Sequence, residues 1–167
     1  VDFSDTVIPG RIDFSKLISL KKLILLKPKN ISKETLLPNE TLEHFEIKNG
    51  KECMGILDNF IGKNYPNLKV FRYVKSNYDP NHSDIFNGNL TSPLLEEVEF
   101  MENETSGEQL IFNIGNFPNL ISLNLAKSTI GEIKYTNEND AEIDDPHDKL
   151  TYFNIRSILD FSPGYNY

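Results

Sequence analysis

The feature that most constrains the fold of this chain is a short pattern that returns six times. It is clearest in residues 117–130, FPNLISLNLAKSTI, where Leu120, Leu123 and Leu125 are apolar, Ser122 and Asn124 between them are small and polar, and Ser128 and Ile130 follow. An alternating Leu-x-Leu core reads as a strand with one buried face. The polar residue three positions further on suits a turn whose backbone needs a side-chain partner. Such a strand is too short to bury its apolar wall alone. Leading leucines recur at Leu20, Leu42, Leu68, Leu95, Leu120 and Leu150, spaced 22, 26, 27, 25 and 30 residues apart, so the fold expected is a stack of copies sharing one continuous core.

Behind each leading Leu stand two further core positions: Leu23 and Leu25, Phe45 and Ile47, Phe71 and Tyr73, Val98 and Phe100, Leu123 and Leu125, Phe153 and Ile155. Three copies carry Pro-Asn or Pro-Leu just before the strand, at Pro66-Asn67, Pro93-Leu94 and Pro118-Asn119. Val1, Phe3, Thr6 and Ile8 read as the tail of one more, partial copy. A bare first strand is an aggregation liability, so the expectation is a fragment of a longer chain, with further repeats or a cap ahead of it.

Between strands the chain must return along the other side of the stack. Residues 51–64 read as a helix, because Cys53, Ile56, Leu57, Phe60 and Ile61 fall at helical spacing. Residues 107–116 read as a shorter helix with Leu110, Ile111 and Ile114 inward. The Asn/Asp/Gly/Ser-rich stretch 77–92 reads as irregular. The acidic insertion 137–148 lacks the central Gly of a calcium loop and reads as a solvated loop.

Composition narrows the function classes. A net charge of −8 and pI near 4.9 argue against a nucleic-acid footprint, which shows as a basic stripe. No apolar run reaches the roughly 18 residues of a membrane span. One cysteine, Cys53, cannot form an internal disulfide and favours a reducing compartment. His44, His82 and His147 sit in different copies, so no metal set, phosphate loop or nucleophile-base pair is legible. The expectation is a chain without catalytic residues, cofactor or metal. Asn30, Asn39, Asn81, Asn89 and Asn103 match the N-x-S/T acceptor pattern, which an Asn-rich composition produces by chance.

These residues resemble the leucine-rich repeat family over essentially the whole chain. The family's turn Asn is matched by Asn103; Thr6, Ser76 and Ser128 are smaller substitutes, while Pro28, Gly50 and Ile158 break the pattern. The resemblance implies an α/β leucine-rich repeat solenoid: one domain over 1–167, about six repeats plus the partial first one. A curved parallel sheet would line the concave face, with helices and irregular loops on the convex face. Uneven repeats with Pro-Asn-Leu before the strand look most like the intracellular repeats of F-box proteins, the substrate receptors of cullin ubiquitin ligases. What this implies is a non-enzymatic protein-interaction module in the cytoplasm or nucleus. Any contact with ligase subunits would run through an upstream segment, since no F-box lies within these residues. The alternative class is an extracellular or cell-surface recognition domain, in which the five acceptor sites would be used.

Side chains alternate along a strand, so the residues flanking the core positions form three columns on the concave face. One reads Lys22, His44, Val70, Glu97, Ser122, Tyr152; the next Ile24, Glu46, Arg72, Glu99, Asn124, Asn154; the third Leu26, Lys48, Val74, Met101, Ala126, Arg156. The partner-binding set expected is Ile24, Leu26, Glu46, Lys48, Val70, Arg72, Val74, Glu97, Glu99, Met101, Asn124, Tyr152, Asn154 and Arg156. Glu46, Arg72 and Glu99 alternate in sign between neighbouring strands. They suit either a lateral ion-pair ladder or a polar anchor beside the apolar Leu26, Val70, Val74 and Met101.

Overall fold

A computed structural model describes residues 16–29, 39–50, 65–76, 93–103, 110–128, 130–134 and 149–155. Eight strands follow in chain order: β1 (Lys22–Leu26), β2 (His44–Lys48), β3 (Val70–Val74), β4 (Glu97–Met101), β5 (Leu110–Asn113), β6 (Ser122–Asn124), β7 (Ile130–Lys134) and β8 (Tyr152–Asn154). Six of them pair in the order β1-β2-β3-β4-β6-β8, every pair parallel. The other two, β5 and β7, form a small parallel sheet of their own. Parallel neighbours need a long crossover, which the spacing of 22 residues or more between leading leucines supplies.

Pairing runs without slippage through the main sheet. Lys22, His44, Val70, Glu97, Ser122 and Tyr152 are successive partners, as are Ile24, Glu46, Arg72, Glu99, Asn124 and Asn154. The alternate residues turn the other way into a continuous core. Leu23, Phe45, Phe71, Val98 and Leu123 form one buried row, Leu25, Ile47, Tyr73, Phe100 and Leu125 a second, and Leu42, Leu68, Leu95 and Leu120 a third. Aromatic rings stack along it, Phe45 on Phe71 at 6.1 Å between centroids and Tyr73 on Phe100 at 5.6 Å.

The same hydrogen bonds return from copy to copy. Before the strand, the leading Leu closes a turn onto the residue three back: Leu20 to Leu17, Leu68 to Tyr65 and Leu120 to Phe117. Pro66 and Pro118 occupy the second place of two of these turns, where a fixed φ suits them. The Asn that follows reaches across to the preceding copy: Asn67 Nδ2 donates to the Glu40 carbonyl at 2.6 Å and Asn119 Nδ2 to that of Pro93 at 2.5 Å. At the strand entry one carbonyl accepts two successive N–H groups of the next copy, as Lys21 does from Glu43 and His44, and Glu43 from Lys69 and Val70.

Beyond the strand five of the six copies turn through a left-handed residue, Lys27, Asn49, Lys75, Glu102 and Lys127, with φ between 50° and 58°, and the sixth such position lies outside the described residues. None is Gly, and none is β-branched, the class for which this region is most costly. The cost is offset by a bond to the next copy, since the N–H of Lys27, Asn49, Lys75 and Glu102 donates to the carbonyl of Lys48, Val74, Met101 and Ala126 at 2.7–3.0 Å.

The next residue is buried and carries the polar ladder. Gly50 N–H donates to Ser76 Oγ (2.9 Å), Ser76 N–H to Asn103 Oδ1 (2.9 Å) and Asn103 N–H to Ser128 Oγ (3.2 Å). The side chains then donate onward, Asn103 Nδ2 to the Tyr73 carbonyl (2.7 Å) and Ser128 Oγ to that of Phe100 (2.8 Å).

Two sequence expectations are corrected. The helix expected over 107–116 is instead β5 followed by a 3₁₀ turn, Ile114–Asn116. Phe112 and Ile114, two apart, are the residues driven inward, and Phe112 packs against Phe117 at 5.4 Å. Asn113 Oδ1 accepts from Gly115 N–H and starts the turn. Among the described residues this turn is the only helical element. Phe153 and Ile155, read as core, are 42% and 48% exposed; β8 is the last strand in the sheet order, with no neighbour on one side among the described residues. The expected helix 51–64, the stretches 77–92 and 137–148 and the partial first copy lie outside the described residues.

Leu123 is fully buried, so Leu123→Ala should cost about 2–5 kcal/mol in a urea titration. A negligible change would place the strand one residue out of register. Asn103→Ala leaves Ser76 N–H without its acceptor and removes one bond to the Tyr73 carbonyl. We expect a loss of about 1–3 kcal/mol for the stranded N–H, measured by the same titration, with Asn103→Ser recovering part of it.

Candidate functional site

The face of the main sheet opposite the core carries the expected residues in three adjacent rows. Ile24, Leu26, Lys48, Val70, Arg72, Val74, Glu97, Glu99, Met101 and Asn154 are partly exposed on it, and Tyr152 is exposed. Glu46 and Asn124 also point to this face, yet they are buried, at 5% and 7% exposure. Arg156 lies outside the described residues.

Ion pairs organise the middle of this face. Glu46 accepts from Lys48 Nζ at 2.7 Å, its other oxygen stands 3.2 Å from His44 Nε2, and Arg72 Nη1 lies 3.7 Å away. A carboxylate can only accept, so the neutral His44 ring carries its proton on Nε2. Arg72 turns most of its fork towards the next strand. Its Nε donates to Glu97 at 2.8 Å, its Nη2 also meets Glu97, and Nε lies 3.3 Å from Glu99. The ladder expected from alternating signs is thus present in the geometry, and Arg72 is committed to three carboxylates. Asn124 Nδ2 is 2.8 Å from the Met101 sulfur, and its Oδ1 accepts from Ala126 N–H at 3.3 Å.

Both flanks of the sheet repeat the alternation. Lys21 and Lys69 hold Glu43 at 2.6 and 3.5 Å on the entry side, and Lys75 and Lys127 hold Glu102 at 3.1 and 3.8 Å on the exit side. The Lys21 hydrogen bond keeps the Glu43 carboxyl below the ordinary carboxylate range. Such exposed pairs add little to stability.

Two acceptor-pattern asparagines belong to the fold. Asn103 is fully buried with both ends of its amide engaged. Asn39 is 3% exposed and accepts from Thr41 N–H and Oγ1, each at 2.9 Å. A glycan attaches at Nδ2, which in both residues faces a backbone carbonyl inside the fold, so glycosylation of either would force the side chain out of its buried place. Asn30, Asn81 and Asn89 lie outside the described residues.

Among the described residues no three His, Cys, Asp or Glu side chains converge as a metal would require, and no helix is long and apolar enough to cross a membrane. Compared with family models, curated proteins and solved structures, the chain matches none. Column reasoning alone missed two things: that Arg72 is shared among three carboxylates, and that His44 joins the Glu46 cluster. The only signal in the sequence for the second is the i, i+2 spacing of His44 and Glu46, which places both on one face.

Burial pushes the His44 pKa below its ordinary 6.5, outweighing the pull of Glu46. Burial pushes the Glu46 carboxyl up, but hydrogen bonds from Lys48 and His44, with the Lys48 and Arg72 charges, bring it below its ordinary 4.5. Both shifts mean that the unfolded chain binds protons more readily on acidification. Stability should therefore be full above pH 6.5, decline as pH falls through the His44 value, and decline again below 4.5. Melting temperature followed from pH 7.5 to 4 tests this, and His44→Gln should flatten the upper part of the curve.

Proposed function

We propose that this chain is a protein-interaction module of the leucine-rich repeat kind, taking a protein partner on the concave face of its sheet. The observation that carries the reading is the make-up of that face. Ile24, Leu26, Val70, Val74 and Met101 remain partly exposed around a charged centre formed by Arg72 with Glu46, Glu97 and Glu99. Apolar groups supply affinity on desolvation, and fixed charges set register and reject wrong partners. Paired ions and buried amides hold the centre in place, which lowers the ordering cost of binding.

In the setting suggested by the resemblance to F-box repeats, the module reads a substrate and recruits it for ubiquitin transfer by other subunits. Its own residues perform no chemistry. Arg72 is a poor position for a test, because a carboxylate there would meet Glu46, Glu97 and Glu99. Val74 is better: it is partly exposed, faces away from the core and lies between Lys48 and Met101.

The test is affinity purification of the parent protein from its own cells, as wild type and as Val74→Asp, with bound proteins identified by mass spectrometry. We expect cullin-ligase subunits with both forms, and at least one further protein lost with Val74→Asp. A bound set unchanged by the substitution removes this face from the site. Absence of ligase subunits, together with glycans at Asn30, Asn81 or Asn89, replaces the adaptor with a cell-surface recognition domain.

A further inference from the structure

We propose that the last three strands of the open face form a slot for an arginine side chain of the protein partner, walled by Glu97 and Tyr152 and floored by Ser122. The inference rests on the reading of this face as a protein-binding surface and names the chemistry of its specific contact.

Direct pairing places Glu97 on β4, Ser122 on β6 and Tyr152 on β8 in one row. With parallel strands about 4.8 Å apart, Glu97 and Tyr152 stand roughly 10 Å from each other, with only a serine between them. The row is thus a notch about one side chain wide. Its walls are reachable, Glu97 with 28% of its side chain exposed and Tyr152 at 47%. Asn154 Nδ2 donates to the Tyr152 hydroxyl at 3.3 Å, which aligns the phenol with its strand. Beside the notch, Glu99 and the buried Asn124 make a second polar row.

Charge selects the occupant. Glu97 and Glu99 share one guanidinium, that of Arg72, which approaches from the β3 side. From the β6 and β8 side the described residues of these two rows are Ser122, Asn124, Tyr152 and Asn154, none of them a cation. Lys48 is spent on Glu46, and Lys75 and Lys127 on Glu102. The notch therefore keeps an excess of negative charge on one wall and an aromatic ring on the other. A planar cation satisfies both at once, with charge-assisted hydrogen bonds to the carboxylate and a face for the ring. Arginine fits better than lysine, whose compact ammonium offers neither plane nor fork. At the far end of the face Lys22 has the opposite sign beside Ile24 and Leu26, so the slot also sets which way a partner segment runs.

The probe is a random peptide library displayed on phage and selected on the immobilised chain, with affinities of the enriched peptides measured by fluorescence anisotropy. We expect the enriched peptides to share an arginine. Its replacement by glutamine should weaken binding to the wild type at least tenfold, and to Ser122→Leu or Tyr152→Ala less than twofold. Tyr152 lies on the last strand with its ring in solvent, so Tyr152→Ala carries the test even where Ser122→Leu does not fold. Peptides that are lost on Val74→Asp but are indifferent to their arginine and to both slot variants would sink the slot and leave the binding face standing. Binding indifferent to Val74→Asp as well, or no enrichment at all, overturns both.

Discussion

The rest of the structure depends on the ladder of side chains that accept the buried N–H groups of Gly50, Ser76 and Asn103, after β2, β3 and β4. These donors point into the stack, where no water reaches them, and an unpaired buried N–H is costly. Ser76, Asn103 and Ser128 each supply the acceptor for the copy before. Strand pairing alone fixes one edge of the stack; the ladder fixes the other, and the two together leave one offset between copies. Pro28 and Gly50, which break the pattern when each is read alone, fit once they are read as a pair. Gly50 has no side chain with which to accept, and Pro28, the residue it would serve, has no N–H to offer. At the other end Ser128 N–H turns back to the Leu125 carbonyl at 3.3 Å, and the corresponding residue of the next copy is Ile158, which has no acceptor.

Six strands and their register were legible because two signals agree. The leading leucines set where each copy starts, and period-two alternation sets which side chains share a face. The left-handed turn residues were not legible, since none is Gly; the one trace is that Lys27, Asn49, Lys75, Glu102 and Lys127 are all unbranched at Cβ. Strand β5 was misread because a run as short as Leu110–Asn113 with Ile114 satisfies helical and extended spacing equally. Phe153 and Ile155 show a different limit: the pattern assigns a face, but whether that face is covered depends on the neighbouring copy.

The site was legible as a set of columns and not as a set of free or committed groups. Direction does not decide exposure, as Glu46 and Asn124 show by being buried on the open face. Nor does a column reveal stoichiometry. Arg72 looks like an available cation in its column, yet it lies between Glu46 on one side and Glu97 and Glu99 on the other, and only the three-strand geometry brings these together.

The unevenness of the repeats has an electrostatic use. In a parallel in-register stack, identical copies would place like charges about 4.8 Å apart in every row, which is destabilising. Here Lys21, Glu43 and Lys69 alternate along one row and Glu46, Arg72 and Glu99 along another. A chain of net charge −8 thus carries a balanced open face, with Lys22, Lys48 and Arg72 against Glu46, Glu97 and Glu99 among the described residues. The alternation stops after β4, where Glu97 and Glu99 are followed by Ser122 and Asn124, and among the described residues of these rows no cation comes next. Among the described residues these rows end on their carboxylates, and the arginine proposed for a partner would continue the alternation there.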